Sequence, residues 1–143
     1  MDCTLATVSD FAYVDRATGK IYVLGIVRYV MAKKVPARHE RLAATFSLED
    51  FTTNVKGQEI MVTLEVQDSD GEAIVPASPP FELKFVPIGP AASGRSSGTV
   101  TAEIGNLILP KFGDYAVLLR RPTGEVIARS QFSVQSPPIP PQP

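Results

Sequence analysis

NLILPKFGDYAVLLRRPTGEVIARSQFSV, residues 106–134, decides the fold class. Pro110 and Gly113 break one extended run, because proline offers no N–H to a strand ladder and glycine marks a bend. Tyr115, Val117 and Leu119 then run up a second strand, Pro122 to Gly124 turn the chain, and residues 126–134 run back. A broken strand, a tight turn and a returning strand read as the closing hairpin of an all-β protein.

The rest of the chain repeats the two-residue period. Leu42, Ala44, Phe46 and Leu48 alternate with Ala43, Thr45, Ser47 and Glu49. Ile60, Val62, Leu64 and Val66 do the same, as do Phe81, Leu83 and Phe85, and Val100, Ala102 and Ile104. Such alternation predicts strands with one face in a core and one in water. KIYVLGIVRYV, residues 20–30, is apolar on both faces, which predicts a central strand covered on both sides, or one lying under a loop or a partner. Gly25 in its middle predicts a bulge or a close backbone approach. DRATGK, DSDGE and RPTGE place Gly19, Gly71 and Gly124 where hairpin loops need a positive φ. Only VPARHERLAA, residues 35–44, has room for a turn or two of helix. Eight or nine strands result, in residues 1–135, followed by a proline-rich extended tail, residues 136–143.

The L-P-x-x-G-x-Y opening at residues 109–115 resembles the closing corner of immunoglobulin-like β-sandwiches. That resemblance implies an antiparallel sandwich of immunoglobulin-like or related Greek-key topology, with the Tyr115 hydroxyl bonded to upstream backbone. The antibody Cys…Trp…Cys pattern is absent, since the chain has no tryptophan. CTLATVSDFAYVDRATGKIYVLGI (residues 3–26), PARHERLAATFSLE (residues 36–49) and the same corner together resemble a family of small bacterial β-proteins of unknown function. The resemblance implies a stand-alone domain and brings no catalytic residue with it.

Composition narrows the partners. Fourteen basic residues against fifteen acidic ones give no overall field to attract nucleic acid or anionic membrane. Cys3 is the single cysteine, so no internal disulfide forms, and a buried structural thiol is its expected state. The N-terminus lacks the charged-then-apolar order of a signal peptide, and the longest apolar run, around Ile21 to Val27, is far shorter than a membrane span. The expectation is a soluble cytoplasmic protein.

Each chemical motif fails on its context. GPAASGRS, residues 89–96, approaches a phosphate loop, but an arginine replaces the lysine and a strand pattern follows where a helix is needed. DSDG, residues 68–71, begins like a calcium loop but lacks the distal glutamate. His39 is the only histidine, and no nucleophile elbow exists to pair with it. No cofactor is expected. Lys33, Lys34, Arg38, His39 and Arg41 form a local basic stretch that suits an anion or an acidic partner. Tyr13, Tyr22 and Tyr29 are candidate linings for a groove that docks the proline tail. The first strand, residues 3–14, has no lysine or proline to guard it if it lies at an edge. The expected function is a non-catalytic binding or assembly module with a protein partner or self-association. The alternatives are an enzyme built around His39 with scattered loop aspartates, or a weak anion or nucleic-acid binder using residues 33–41; Asp10, Asp15, Asp50 and Asp114 would serve calcium only if the fold brought them together.

Overall fold

The computed structural model describes residues 1–50, 59–90 and 93–138. They form eleven strands and no α-helix. In chain order these are β1 (Asp2–Val14), β2 (Ile21–Ile26), β3 (Tyr29–Met31), β4 (Ala37–Asp50), β5 (Glu59–Asp68), β6 (Ala73–Val75), β7 (Phe81–Lys84), β8 (Val86–Pro87), β9 (Ser96–Leu109), β10 (Gly113–Arg120) and β11 (Val126–Gln135). One sheet has the order β2-β1-β4-β9-β8, and the other β3-β11-β10-β5-β6, with β7 also on β5. All pairings are antiparallel except β3 on β11.

The core lies between the sheets, where the alternation put it. Leu42, Ala44, Phe46 and Leu48 of β4 meet Val62, Leu64 and Val66 of β5, Val117 and Leu119 of β10, and Phe132 of β11 in one buried cluster. The hairpin loops also have the predicted backbone: Gly19, Gly71 and Gly124 take φ of 72°, 83° and 98°. Tyr115 is buried and stacks on Phe132, ring centroids 5.5 Å apart. Its hydroxyl donates to the Lys111 carbonyl at 2.6 Å and accepts from the Lys111 N–H at 3.1 Å. Two backbone groups at the bend between the sheets are thereby satisfied by one side chain.

Four local expectations are corrected. Residues 37–44 continue a fourteen-residue strand instead of starting a helix, because β4 is paired with β9 along its length, from Ala37↔Leu109 to Asp50↔Ser96. The strand within KIYVLGIVRYV is not central: β2 ends its sheet, and Leu24 and Ile26 are each 61% exposed. Consequently β1 is not an edge strand, since β2 covers one side and β4 the other. Cys3 is exposed beside a register shift between Cys3 and Leu5, and its thiol donates to the Leu5 carbonyl at 3.3 Å.

A bend in β1 positions the surface of interest. Pairing with β4 stops at Ser9↔Ala43, although β4 runs on to Ala37. In a flat sheet Tyr13 would align with His39 and Leu107, six residues or about 20 Å along β9 from Thr101. Instead residues 12–14 and Arg16 line one cavity, of about 470 Å³, together with Thr99 and Thr101. The distal half of the β1–β2 hairpin therefore folds back over the outer face of β4 and β9. That arrangement accounts for the burial of Ala43, Thr45 and Ser47, which alternation alone would leave in water. Inside the hairpin Gly25 has φ of 68°, and a Cβ there would stand 2.5 Å from the Asp10 carboxylate. Of the two expectations at Gly25 the close approach is present, to the Asp10 side chain, while the β1–β2 register passes Gly25 without a shift, so there is no extra residue and no bulge.

Candidate interaction surface

The hairpin carries the largest display of apolar side chains. Register places Phe11 opposite Leu24, Tyr13 opposite Tyr22, and Ser9 opposite Ile26. Directly paired residues share a face, so Phe11, Tyr13, Tyr22, Leu24 and Ile26 form one stripe. All five are exposed. The Tyr13 and Tyr22 rings lie 6.2 Å apart, and the Arg41 guanidinium sits 5.3 Å from the centre of the Phe11 ring. The stripe borders β2, whose outer edge has no strand partner among the described residues. Ile21–Ile26 contains neither lysine nor proline, the usual edge guards, and Gly25 alone in it has a positive φ. Tyr29 is exposed too and lies on β3 in the other sheet. The tail segment expected to dock there, residues 139–143, lies outside the described residues; Ser136, Pro137 and Pro138 are exposed.

The basic stretch does not gather into a patch. Lys33 and Lys34 sit in the bend after β3, while strand alternation sends Arg38 to one face of β4 and His39 and Arg41 to the other. Arg41 is held by Glu103, Nε to Oε1 2.8 Å, and Arg38 donates to the Asn106 side-chain oxygen. His39 is half-buried opposite Leu107. The aspartates that calcium would need are dispersed. Asp50 is eleven residues further along the same strand, about 36 Å away. Asp15 caps its own turn through the Ala17 N–H at 2.9 Å, Asp10 packs against Gly25, and Asp114 is in the opposite sheet. Among the described residues no three of histidine, cysteine, aspartate or glutamate are grouped to hold a metal. Residues 93–95 lead into β9, as the sequence context implied, and Arg95 pairs with Glu49 at 3.0 Å.

DSDG is a turn tied to the tyrosine corner. The Asp68 side chain, 4% exposed, accepts from the N–H groups of Asp70 and Glu72 at 2.9 and 3.0 Å. Lys111 Nζ stands 3.3 Å from Asp68 and also bonds Asp70. Burial works to raise the Asp68 carboxyl's pKa, but the backbone donors and the Lys111 ammonium outweigh it and hold the carboxyl below its ordinary range. The bond to Asp70 leads the causes that raise the Lys111 pKa. A carboxyl depressed on folding stabilises the fold above its unfolded pKa, and that contribution disappears as pH falls through the folded value. A raised lysine stabilises the fold below its unfolded pKa and loses that contribution as pH rises through the folded value. Asp68→Asn is therefore expected to flatten the acid side of the stability–pH curve. Denaturant midpoints measured between pH 7 and pH 2 check this; an acid-side slope equal to the parent's would exclude Asp68 as a source.

The fold and its surface thus define an all-β, two-sheet protein with an exposed apolar hairpin, in which no helix is long and apolar enough to cross a membrane among the described residues. The model of a family of unknown function, DUF6941, matches residues 4–135, and the chain belongs to that family. No curated protein matches the chain.

Proposed function

We propose that this protein is a non-catalytic assembly module that self-associates through the outer edge of β2 and the apolar stripe of the β1–β2 hairpin. The stripe carries the reading: five large apolar side chains on two paired strands stand in water beside an open strand edge. Burying such a stripe removes apolar area from water at about 25 cal/mol per Å². An edge-to-edge contact also supplies partners for the unpaired N–H and C=O groups of β2. The two sheets are read with it as an antiparallel sandwich of immunoglobulin-like or related topology, from a bacterial family. A cytoplasmic setting agrees with a lone cysteine that has no disulfide partner in its own chain.

Light scattering of the full chain at micromolar concentration tests the proposal. The expected mass is that of a dimer or a larger closed assembly. Leu24→Ser with Ile26→Ser should return the mass to that of a monomer, while changing monomer stability by only about 0.5 kcal/mol, as for other exposed positions. A chain ending at Ser136 should keep the parent mass, because the stripe does not involve the tail. A monomeric mass for the parent overturns the reading.

A further inference from the structure

A second surface, which shares only Ile26 with the hairpin stripe, has a different chemistry. On the side where β1 and β2 approach β11, residues 6–8, 26–28 and 129–131 line a cleft of about 590 Å³. Two arginines, Arg28 and Arg129, belong to this lining. Neither has an acidic side chain within ion-pair distance among the described residues, and all fifteen acidic residues of the chain fall within those. Most other cations near the sheets are paired: Arg41, Lys84, Arg95, Lys111, Arg120 and Arg121 each have a carboxylate within 4.0 Å. Arg129 is instead held in place by a neutral group. The Gln131 amide, oriented with its oxygen toward the guanidinium as the surrounding donors require, accepts from Nε at 3.2 Å and Nη2 at 2.9 Å.

The backbone of the same cleft is also unfinished. On the side of β11 away from β10, β3 pairs only Ser133, Val134 and Gln135. From Val126 to Phe132 no described strand pairs with that side, although β1 approaches it across the cleft. The Ser133 N–H points there, since it donates to the Arg28 carbonyl at 2.9 Å. Main-chain groups of a strand alternate sides with a period of two, so the N–H and C=O of Arg129 and Gln131 point the same way, into the cleft. An open edge with positive charge above it suits an extended chain that bears negative charge.

We propose that the cleft between β1 and β11 binds an extended acidic peptide segment, which adds as a strand to the free edge of β11 and places carboxylates against Arg28 and Arg129. Main-chain bonds to Arg129 and Gln131 give the segment its register, and the two guanidinium groups select its charge. Alanine and valine side chains at Ala6, Val8 and Val27, with Ile26, supply the apolar wall for its alternate residues.

Titration of the full-length protein with a fluorescein-labelled hexapeptide of alternating valine and glutamate tests the proposal, with an alternating valine–lysine peptide as the control. The glutamate peptide is expected to bind and the lysine peptide not to bind. Arg28→Ala with Arg129→Ala should weaken binding about tenfold or more, the loss expected for charge-assisted hydrogen bonds. Arg28→Glu with Arg129→Glu should transfer the preference to the lysine peptide. Hydrogen exchange supplies a readout that charge alone would not move: the amides of Arg129 and Gln131 should become protected on binding. No binding of the glutamate peptide up to millimolar concentration, binding indifferent to the double variants, or binding without protection of those amides would each overturn the proposal. Tyr22→Ser with Leu24→Ser separates this surface from the assembly stripe, because both residues belong to the stripe and lie outside the cleft.

Discussion

Phe46→Ala is expected to lower stability by about 3–5 kcal/mol, the usual cost of emptying an aromatic site in a packed core. Phe46 has no exposed surface, and in its own sheet it stands between Ala6 of β1 and Val100 of β9. Its small sheet neighbours cannot expand into the vacated volume, so the cavity term adds to the lost transfer free energy. The comparison is with Tyr13→Ala, an aromatic truncation on the neighbouring strand at an exposed position. In the monomer that change should alter stability by only about 0.5 kcal/mol. Denaturant midpoints of both variants decide the matter. Equal losses would mean that the face of β4 bearing Phe46 is not the one buried between the sheets.

Tyr115→Phe has the second-largest expected effect, about 1–3 kcal/mol. The ring, its burial and its stacking on Phe132 survive the substitution; only the hydroxyl is removed. The Lys111 carbonyl then loses a donor and the Lys111 N–H an acceptor, at a bend where the chain passes from β9 in one sheet to β10 in the other. Leaving such groups unpaired is more costly than the net worth of an average hydrogen bond. The same residue's ammonium holds Asp68 and Asp70, so the loss should be accompanied by a shallower acid-side pH dependence as the bend loosens. A midpoint equal to the parent's would show that water satisfies the bend and that the hydroxyl does not secure it.

Much of the core was legible in the sequence because strand alternation is a local signal. Leu42, Ala44, Phe46 and Leu48 are buried as their spacing implies, and Gly71 and Gly124 adopt the positive φ that their turns require. Tyr115 belongs with them, since its partner Lys111 is four residues away. VPARHERLAA misled for a corresponding reason. Its charged residues disguise an extended segment, and it is strand because β9 pairs it from 58 to 72 residues further along the chain. No local propensity records a partner at that separation.

The surface was legible only in part. The apolar character of both faces of residues 20–30 was plain, and so was the conclusion that something must cover them. Whether that cover lies in the same chain depends on strand order, and the order puts β2 at the end of its sheet. The basic stretch shows the opposite case: five neighbours in sequence are divided between a bend and two faces of one strand, and Glu103, 62 residues from Arg41, neutralises one of them. Arg28 and Arg129 carry no sequence signal at all, being 101 residues apart until β11 is laid beside the β2–β3 crossing. By itself, then, the sequence determined what depends on neighbours along the chain: an all-β class, the buried faces, the turns and the corner. Only the tertiary structure decided which edges stay open, which charges find partners and where the hairpin bends, because each of these is fixed by contacts between residues the chain keeps far apart.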